Sequence, residues 1–237
     1  MIGCLLLHGF TGGTYEIEPL ATYLGERTDW CISMPELRGH GEQLHLQDVL
    51  YTEWLDEAEE AFNMLEETCE TIYVIGFSMG GMIAAYLAAK KSVDKLVLLA
   101  PARRYISFKY LTKEIVEMIG DGMKGKLEEN DLYVQTVNKL GDVPIKANIE
   151  FMKLVNYTKK YLDDISAPVF IAQGKKDEMV PYQTVYTLEK EIGSEEKEIV
   201  FFDNSDHLIC LGNDRVVLTQ LVFSFLHENK EEKEESV

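Results

Sequence analysis

The residues best suited to chemistry lie in the segment TIYVIGFSMGGMIA at positions 71–84, where a serine stands between two glycines. A β-branched run ends at Gly76 and an apolar helical pattern follows Gly80, so Ser78 lies on a sharp turn between a predicted strand and a predicted helix. A side chain at either glycine would crowd the neighbouring backbone. The helix N-terminus beneath the serine favours developing negative charge. Taken alone, the pentapeptide also fits a buried serine in a structural turn. With the residues below, it predicts that Ser78 is a nucleophile.

A serine nucleophile needs a base that takes its proton and an acid that orients the base. Of the five histidines, three precede Ser78 and one lies in the predicted final helix, whereas His207 follows a predicted strand end. His207 is therefore the predicted base. Asp177, just past another predicted strand, is the leading acid, and its neighbour Glu178 is a weaker choice. Two other aspartates are too close to His207 in sequence to orient its ring from a separate loop: Asp203 and Asp206.

Attack on a carbonyl produces an oxyanion that needs backbone N–H donors. The residue after the nucleophile, Met79, is expected to supply one of them. The other is expected from Phe10 in the glycine-containing segment LHGFTGG, which follows the first predicted strand. This segment alone could be a simple turn. In combination with the serine, the acid and the histidine, it predicts an oxyanion hole.

Short apolar runs alternate with helical patterns, which predicts an α/β protein with six parallel strands covered on both faces. We expect the strand order 2-1-3-4-5-6. The predicted strands are Ile2–Leu7, Trp30–Met34, Thr71–Ile75, Lys95–Leu99, Val169–Gln173 and Lys197–Phe202. The predicted helices are Ile17–Gly25, Val49–Cys69, Met79–Lys90, Tyr182–Ile192 and Asp214–Glu228. The core should comprise residues 1–100 and 165–228, followed by a disordered acidic tail at 229–237.

Residues 101–164 interrupt this alternation with helical patterns and glycine breaks, and without a strand pattern. A long insertion between strands has either a structural or a functional role. It could be a helical subdomain packed for stability. We favour a helical cap, or lid, because ligands of open α/β sheets bind at the carboxyl ends of the strands. Its large or pliable apolar residues, together with Phe10, are candidates for substrate binding: Met118, Met123, Phe151 and Met152.

The composition excludes several functions. The chain has 237 residues and a net charge of −18, which argues against nucleic acid and anionic lipid as partners. The apolar run IGCLLL is too short for a signal peptide or a membrane span. The four cysteines are widely spaced in apolar surroundings, which favours buried thiols and a cytoplasmic location. No cysteine or histidine spacing suggests a metal site.

These segments together resemble the α/β-hydrolase superfamily, and within it the small bacterial carboxylesterases and monoacylglycerol-lipase-like esterases. The resemblance is carried by LLLHGFTGG, PELRGHG, VIGFSMGG, KKDEMVP and SDHLI, in the family's order between residues 5 and 209. It implies an α/β-hydrolase fold with a small helical cap, a Ser78–His207–Asp177 triad and an oxyanion hole at Phe10 and Met79. The family usually has a further segment before LLLHGF, where this sequence has four residues. We therefore expect either a minimal core or a truncated start.

The expected function is that of a cofactor-free serine carboxylesterase acting on uncharged esters of short or medium acyl chain, including monoglycerides. We expect a small-molecule substrate, with no nucleic-acid partner and no stable membrane insertion. A thioesterase, an acyltransferase or a serine peptidase could use the same triad. A protein that keeps the fold and binds a ligand without turnover is a further alternative, because fold does not determine function.

Overall fold

A computed structural model describes residues 1–104 and 143–227. Its centre is a parallel six-stranded sheet in the order β2-β1-β3-β4-β5-β6, which confirms the predicted order. The strands are β1 (Ile2–Leu7), β2 (Cys31–Ser33), β3 (Thr71–Phe77), β4 (Lys95–Leu99), β5 (Val169–Gly174) and β6 (Lys197–Phe202). Strand β2 is shorter than predicted. It is an edge strand that pairs with β1 only from Gly3↔Cys31 to Leu5↔Ser33.

Helices cover both faces of the sheet. The described helices are α1 (Glu18–Gly25), α2 (Tyr51–Glu66), α3 (Met79–Lys90), α4 (Ile145–Thr158), α5 (Thr184–Glu191) and α6 (Arg215–His227). Alternate residues of each strand enter opposite cores, as expected for a period of two. In β1, Leu5 and Leu7 pack in the core beneath α2 to α5, whereas Cys4 and Leu6 pack in the core beneath α1 and α6. The five predicted helices are all found, with ends that differ by at most three residues, and Met79–Lys90 has the predicted bounds.

The predicted insertion is described only at its two ends. Its C-terminal part forms α4 and a 3₁₀ turn at Lys159–Asp164, and both pack on α3. Residues 105–142 lie outside the described residues, so Met118 and Met123 are not placed. The predicted tail at 229–237 also lies outside them. The cap and its boundaries therefore stay predictions.

The carboxyl ends of the parallel strands meet at one edge of the sheet. Strand β3 ends directly before Ser78, β5 ends shortly before Asp177, and β6 ends five residues before His207. Three distant parts of the sequence are thus brought to the same edge. Among the described residues, no helix has the length and hydrophobicity needed to cross a bilayer.

Candidate active site

Ser78 occupies a strained turn between β3 and α3. Its backbone has φ 53° and ψ −111°, a left-handed conformation that is unusual for a residue other than glycine. A Cβ at Gly76 would overlap the backbone of Gly80, and a Cβ at Gly80 would overlap the carbonyl oxygens of Leu7 and His8. Both positions therefore require glycine. The Ser78 N–H is held by the carbonyl of Leu99 at 2.9 Å, which ties the turn to the neighbouring strand.

A continuous hydrogen-bonded chain joins three of the predicted site residues. His207 Nε2 lies 2.9 Å from Ser78 Oγ, and His207 Nδ1 lies 2.7 Å from Asp177 Oδ2. All three side chains are buried. With a proton on Nδ1 donated to the carboxylate, Nε2 is free to accept the serine proton. This arrangement can activate a hydroxyl for nucleophilic attack.

The Asp177 carboxylate is held from every side by hydrogen-bond donors. Its Oδ1 accepts the N–H groups of Met179 and Val180, each at 2.8 Å. Its Oδ2 accepts Gln173 Nε2 at 2.8 Å as well as the bond from His207. Sequence reasoning missed Gln173, although a fully buried amide at the end of an otherwise apolar strand is a signal of a polar contact nearby.

The alternative acids Glu178, Asp203 and Asp206 lie elsewhere. Glu178 is exposed. Asp203 pairs with Lys175 at 2.6 Å on the surface. Asp206 is exposed, and its carboxylate accepts the N–H of Leu208 at 3.1 Å. The structure therefore places Asp177, and none of these three, against the imidazole of His207.

The two expected oxyanion donors belong to the serine turn and to the loop after β1. Met79 is the first residue of α3, where N–H groups have no partner within the helix. Phe10 follows β1, and its ring stacks on Phe151 of α4 with 4.7 Å between ring centroids and 7° between planes. Trp54 meets the Phe10 ring edge-on at 5.9 Å. Phe151 is thus placed beside the loop that carries Phe10, whereas Met152, the next residue of α4, is only partly buried.

Two further buried groups contact this loop and were not predicted. His8 Nδ1–H donates to the carbonyl of Gly9 at 2.8 Å, and burial lowers the pKa of His8 from 6.5 to about 4. The Glu16 carboxylate accepts the N–H of Gly9 at 2.9 Å, and burial raises its pKa above the ordinary value. An acid that follows a glycine pair and precedes an apolar helix could have signalled such a contact.

Comparison with known proteins gives a consistent picture. Residues 3–214 match the Hydrolase_4 family, described as serine aminopeptidase, S33. The chain is 30% identical to a thermostable monoacylglycerol lipase of Bacillus sp. (strain H-257), over 94% of this chain and 90% of that protein. It is 23% identical to a carboxylesterase of Bacillus subtilis (strain 168), over 94% and 92%. A solved structure from the metagenome-derived lipolytic enzymes LipS and LipT superposes with a TM-score of 0.78 at 20% identity, over 96% and 94%, and shows the same fold.

Proposed function

Because this chain belongs to the Hydrolase_4 family of α/β-hydrolases, we propose that it is a serine carboxylesterase that hydrolyses uncharged esters of short to medium acyl chain. The observation that carries the proposal is the chain of hydrogen bonds from Ser78 through His207 to Asp177. The two relatives described above are named for ester hydrolysis, one as a monoacylglycerol lipase and one as a carboxylesterase.

In the proposed mechanism, Ser78 Oγ attacks the ester carbonyl while His207 Nε2 takes the hydroxyl proton. Asp177 holds the imidazole in the Nδ1–H tautomer and stabilises the imidazolium that forms. The N–H groups of Phe10 and Met79 donate hydrogen bonds to the former carbonyl oxygen and so stabilise its negative charge. The imidazolium then gives its proton to the leaving alcohol, and the acyl group stays on Ser78. A water molecule, deprotonated by His207, releases the acid and restores the serine.

The proposed acyl site lies beside Phe10, where apolar side chains gather. Phe151 and Trp54 contact the Phe10 ring, and they can accept an alkyl chain without desolvating a charge. We propose that residues 101–164 form a cap over this site, because α4 belongs to that segment and brings Phe151 to the loop. The net charge of −18 disfavours anionic substrates.

A second candidate, a serine peptidase, is favoured by the description of the matching family as a serine aminopeptidase. Amide hydrolysis uses the same groups but requires protonation of a poorer leaving nitrogen. Parallel assays of p-nitrophenyl butyrate and an aminoacyl p-nitroanilide distinguish the two. We expect the ester to be turned over faster by several orders of magnitude, and a preference for the anilide would favour the peptidase.

The decisive experiment compares Ser78→Ala with Ser92→Ala, a substitution of an exposed serine after α3. Ser78→Ala should lower kcat for p-nitrophenyl butyrate by on the order of 10⁴ or more, since the triad acts as a unit. It should also abolish labelling by a fluorophosphonate. Ser92→Ala should be labelled and should hydrolyse the ester as the wild type does. A folded Ser78→Ala protein with near-normal turnover would end the proposal, and a wild type without turnover would favour a binding role.

A further inference from the structure

A buried carboxylate lies directly behind the loop that carries Phe10. Glu16 ends the short 3₁₀ turn at Thr14–Glu16, and this residue is 7% exposed. Within residues 1–104 and 143–227, it forms no ion pair with a lysine or arginine. Burying a carboxylate is costly unless its oxygens are hydrogen-bonded. The triad does not use Glu16, so its contacts with the loop need their own explanation.

The Glu16 carboxylate contacts the loop on both sides of Phe10. Its Oε2 accepts the N–H of Gly9 at 2.9 Å. On the other side, a Cβ at Gly12 would overlap the carboxylate, so the Gly12 backbone packs directly against it. Burial raises the pKa of Glu16, and the N–H groups of Gly9 and Gly13 oppose that rise by favouring the charged form. The carboxylate therefore fills the space inside the loop and fixes its path.

The contact with Gly9 is one of several hydrogen bonds that hold two successive peptide groups of this loop. The His8 carbonyl accepts the N–H of Gly80 at 3.1 Å, and the N–H of the same peptide group donates to Glu16. That peptide is thus held at both ends, once by the serine turn and once by the carboxylate. Its plane is rigid, so the two bonds together fix its orientation.

The next peptide group carries the Phe10 N–H, and its carbonyl is also held. His8 Nε2 accepts the N–H of Leu37 at 3.0 Å, so the proton of neutral His8 is on Nδ1, which donates to the Gly9 carbonyl at 2.8 Å. In the described part of the chain, the Phe10 N–H at the other end of this plane has no hydrogen-bond acceptor. These hydrogen bonds leave that one donor available for a bound oxygen.

We propose that Glu16 is a positioning residue that holds the Phe10 N–H in the direction of the developing oxyanion, an inference that rests on the proposed esterase function. Catalysis of this kind needs donors that are fixed before the reaction. A loop that shifts by about 1 Å loses on the order of 10² in rate. The role of Glu16 is therefore to keep the hole in place, without contact with the substrate.

Three substitutions separate the reach of the side chain from its charge. Glu16→Ala removes both, Glu16→Asp keeps the charge but withdraws it from Gly9 by one methylene, and Glu16→Gln keeps an oxygen that can accept the Gly9 N–H. The matched control is Glu18→Gln, which neutralises an exposed acid two residues away at the start of α1.

The informative readout is the ratio of kcat/KM for p-nitrophenyl acetate to kcat/KM for the corresponding thionoester, in which sulfur replaces the carbonyl oxygen. Sulfur is larger and accepts N–H hydrogen bonds weakly, so an oxyanion hole favours the oxygen ester. We expect Glu16→Ala and Glu16→Asp to lower kcat/KM for the oxygen ester by about 10- to 100-fold. The ratio should fall by roughly tenfold, because the thionoester has less to lose. Glu16→Gln should stay within about fivefold of the wild type in both quantities, and Glu18→Gln should match it.

The possible results distinguish a failure of the positioning role of Glu16 from a failure of the proposed function. If the wild type turns over the ester through Ser78 and the folded Ala and Asp variants keep its ratio, the positioning role is overturned, even where the overall rate falls. A Gln variant as impaired as the Asp variant would also overturn it, because an oxygen that can accept the Gly9 N–H would then not be enough to keep the rate. If the Ala variant does not fold, the Asp and Gln variants alone give the same decision. A wild type without Ser78-dependent hydrolysis overturns both this inference and the proposed function.

Discussion

Replacing Asp177 by asparagine tests the acid assignment by changing one atom. The carboxylate accepts four hydrogen bonds, two at each oxygen. Oδ1 accepts the N–H groups of Met179 and Val180 at 2.8 Å each, and Oδ2 accepts Gln173 Nε2 at 2.8 Å and His207 Nδ1 at 2.7 Å. The two backbone N–H groups can only donate hydrogen bonds. The asparagine oxygen must therefore stay with them, and its NH₂ group takes the place of Oδ2.

The new NH₂ group is a hydrogen-bond donor, and it faces the imidazole of His207 at the position where the carboxylate oxygen Oδ2 was an acceptor. His207 can keep this hydrogen bond only if Nδ1 loses its proton, so the proton moves to Nε2. Nε2 then carries a hydrogen that points toward Ser78, 2.9 Å away, and it cannot accept the serine proton. The fold should persist, since the asparagine has the same shape and Gln173 can turn its Oε1, which has no partner among the described residues, toward the new donor.

The expected loss of kcat is on the order of 10⁴, the size measured for the same Asp→Asn exchange in a serine-protease triad. At about 1.36 kcal/mol for each factor of ten, this corresponds to about 5.4 kcal/mol of transition-state stabilisation. The assay is steady-state hydrolysis of p-nitrophenyl butyrate, with thermal unfolding to check the fold.

The matched control is Asp206→Asn, next to His207 in the chain. Asp206 is exposed and accepts the N–H of Leu208, a bond that the asparagine oxygen retains. Its kcat should stay within about twofold of the wild type, the scale of a surface change. A folded Asp177→Asn enzyme with more than about a tenth of wild-type kcat would refute the tautomer argument, which requires a loss near 10⁴. The reverse ranking of the two variants would reassign the acid.

Three further predictions concern the turn, the acyl site and pH. Gly80→Ala places a Cβ against backbone atoms, so it should lower the unfolding free energy by about 1–3 kcal/mol and should also lower activity. In Gly212→Ala the nearest atom to the new Cβ is 3.6 Å away, so this variant should lose little stability. Urea titration measures both. Phe151→Leu should change the ratio of octanoyl to acetyl ester kcat/KM by about 10-fold or more, whereas Phe170→Leu in the opposite core should leave the ratio unchanged. Burial lowers the pKa of His8 from 6.5 to about 4, so the unfolded chain protonates first as pH falls. The contribution of His8 to the unfolding free energy should therefore decrease as the pH falls from 6.5 to 4, by at most on the order of 3 kcal/mol. This loss should be absent in His8→Gln. If the unfolding free energies of the two proteins depend on pH with the same slope, the prediction is contradicted.

The sequence predicted those features of the fold that depend on local patterns. Continuous apolar runs such as those at β3 and β5 identify strands buried on both faces, and their alternation with helical patterns leads to the parallel order. The site residues Ser78, Asp177 and His207 were predicted because each follows a strand end, and parallel strands end at one edge. The structure brings these three side chains within hydrogen-bond distance, and their catalytic roles stay a proposal.

The partners of the polar residues that support the site could not be predicted, because they depend on how each loop folds back, although Gln173 and Asp177 are only four residues apart and Glu16 and Gly9 only seven. Gln173 is an isolated polar residue in an apolar strand, and nothing local says that its amide turns to Asp177. Glu16 has the sequence appearance of a helix-start acid, but its carboxylate turns into the preceding loop. The short edge strand β2 likewise ends where its pairing with β1 ends, which its own residues do not determine.

The glycine-containing loop after β1 and the glycine-containing turn at Ser78 are in direct contact, and Gly80 lies where they meet. Because Gly80 has no side chain, the carbonyls of Leu7 and His8 approach its backbone, and its N–H donates to His8. The loop after β1 is therefore attached to the first turn of α3, and this hydrogen bond links the two segments that carry the expected oxyanion donors Phe10 and Met79. Glu16 holds the other side of the loop. A change at Gly80 should consequently move both donors relative to Ser78. It should therefore lower kcat/KM for oxygen esters more than kcat/KM for thionoesters, as removal of the Glu16 carboxylate should.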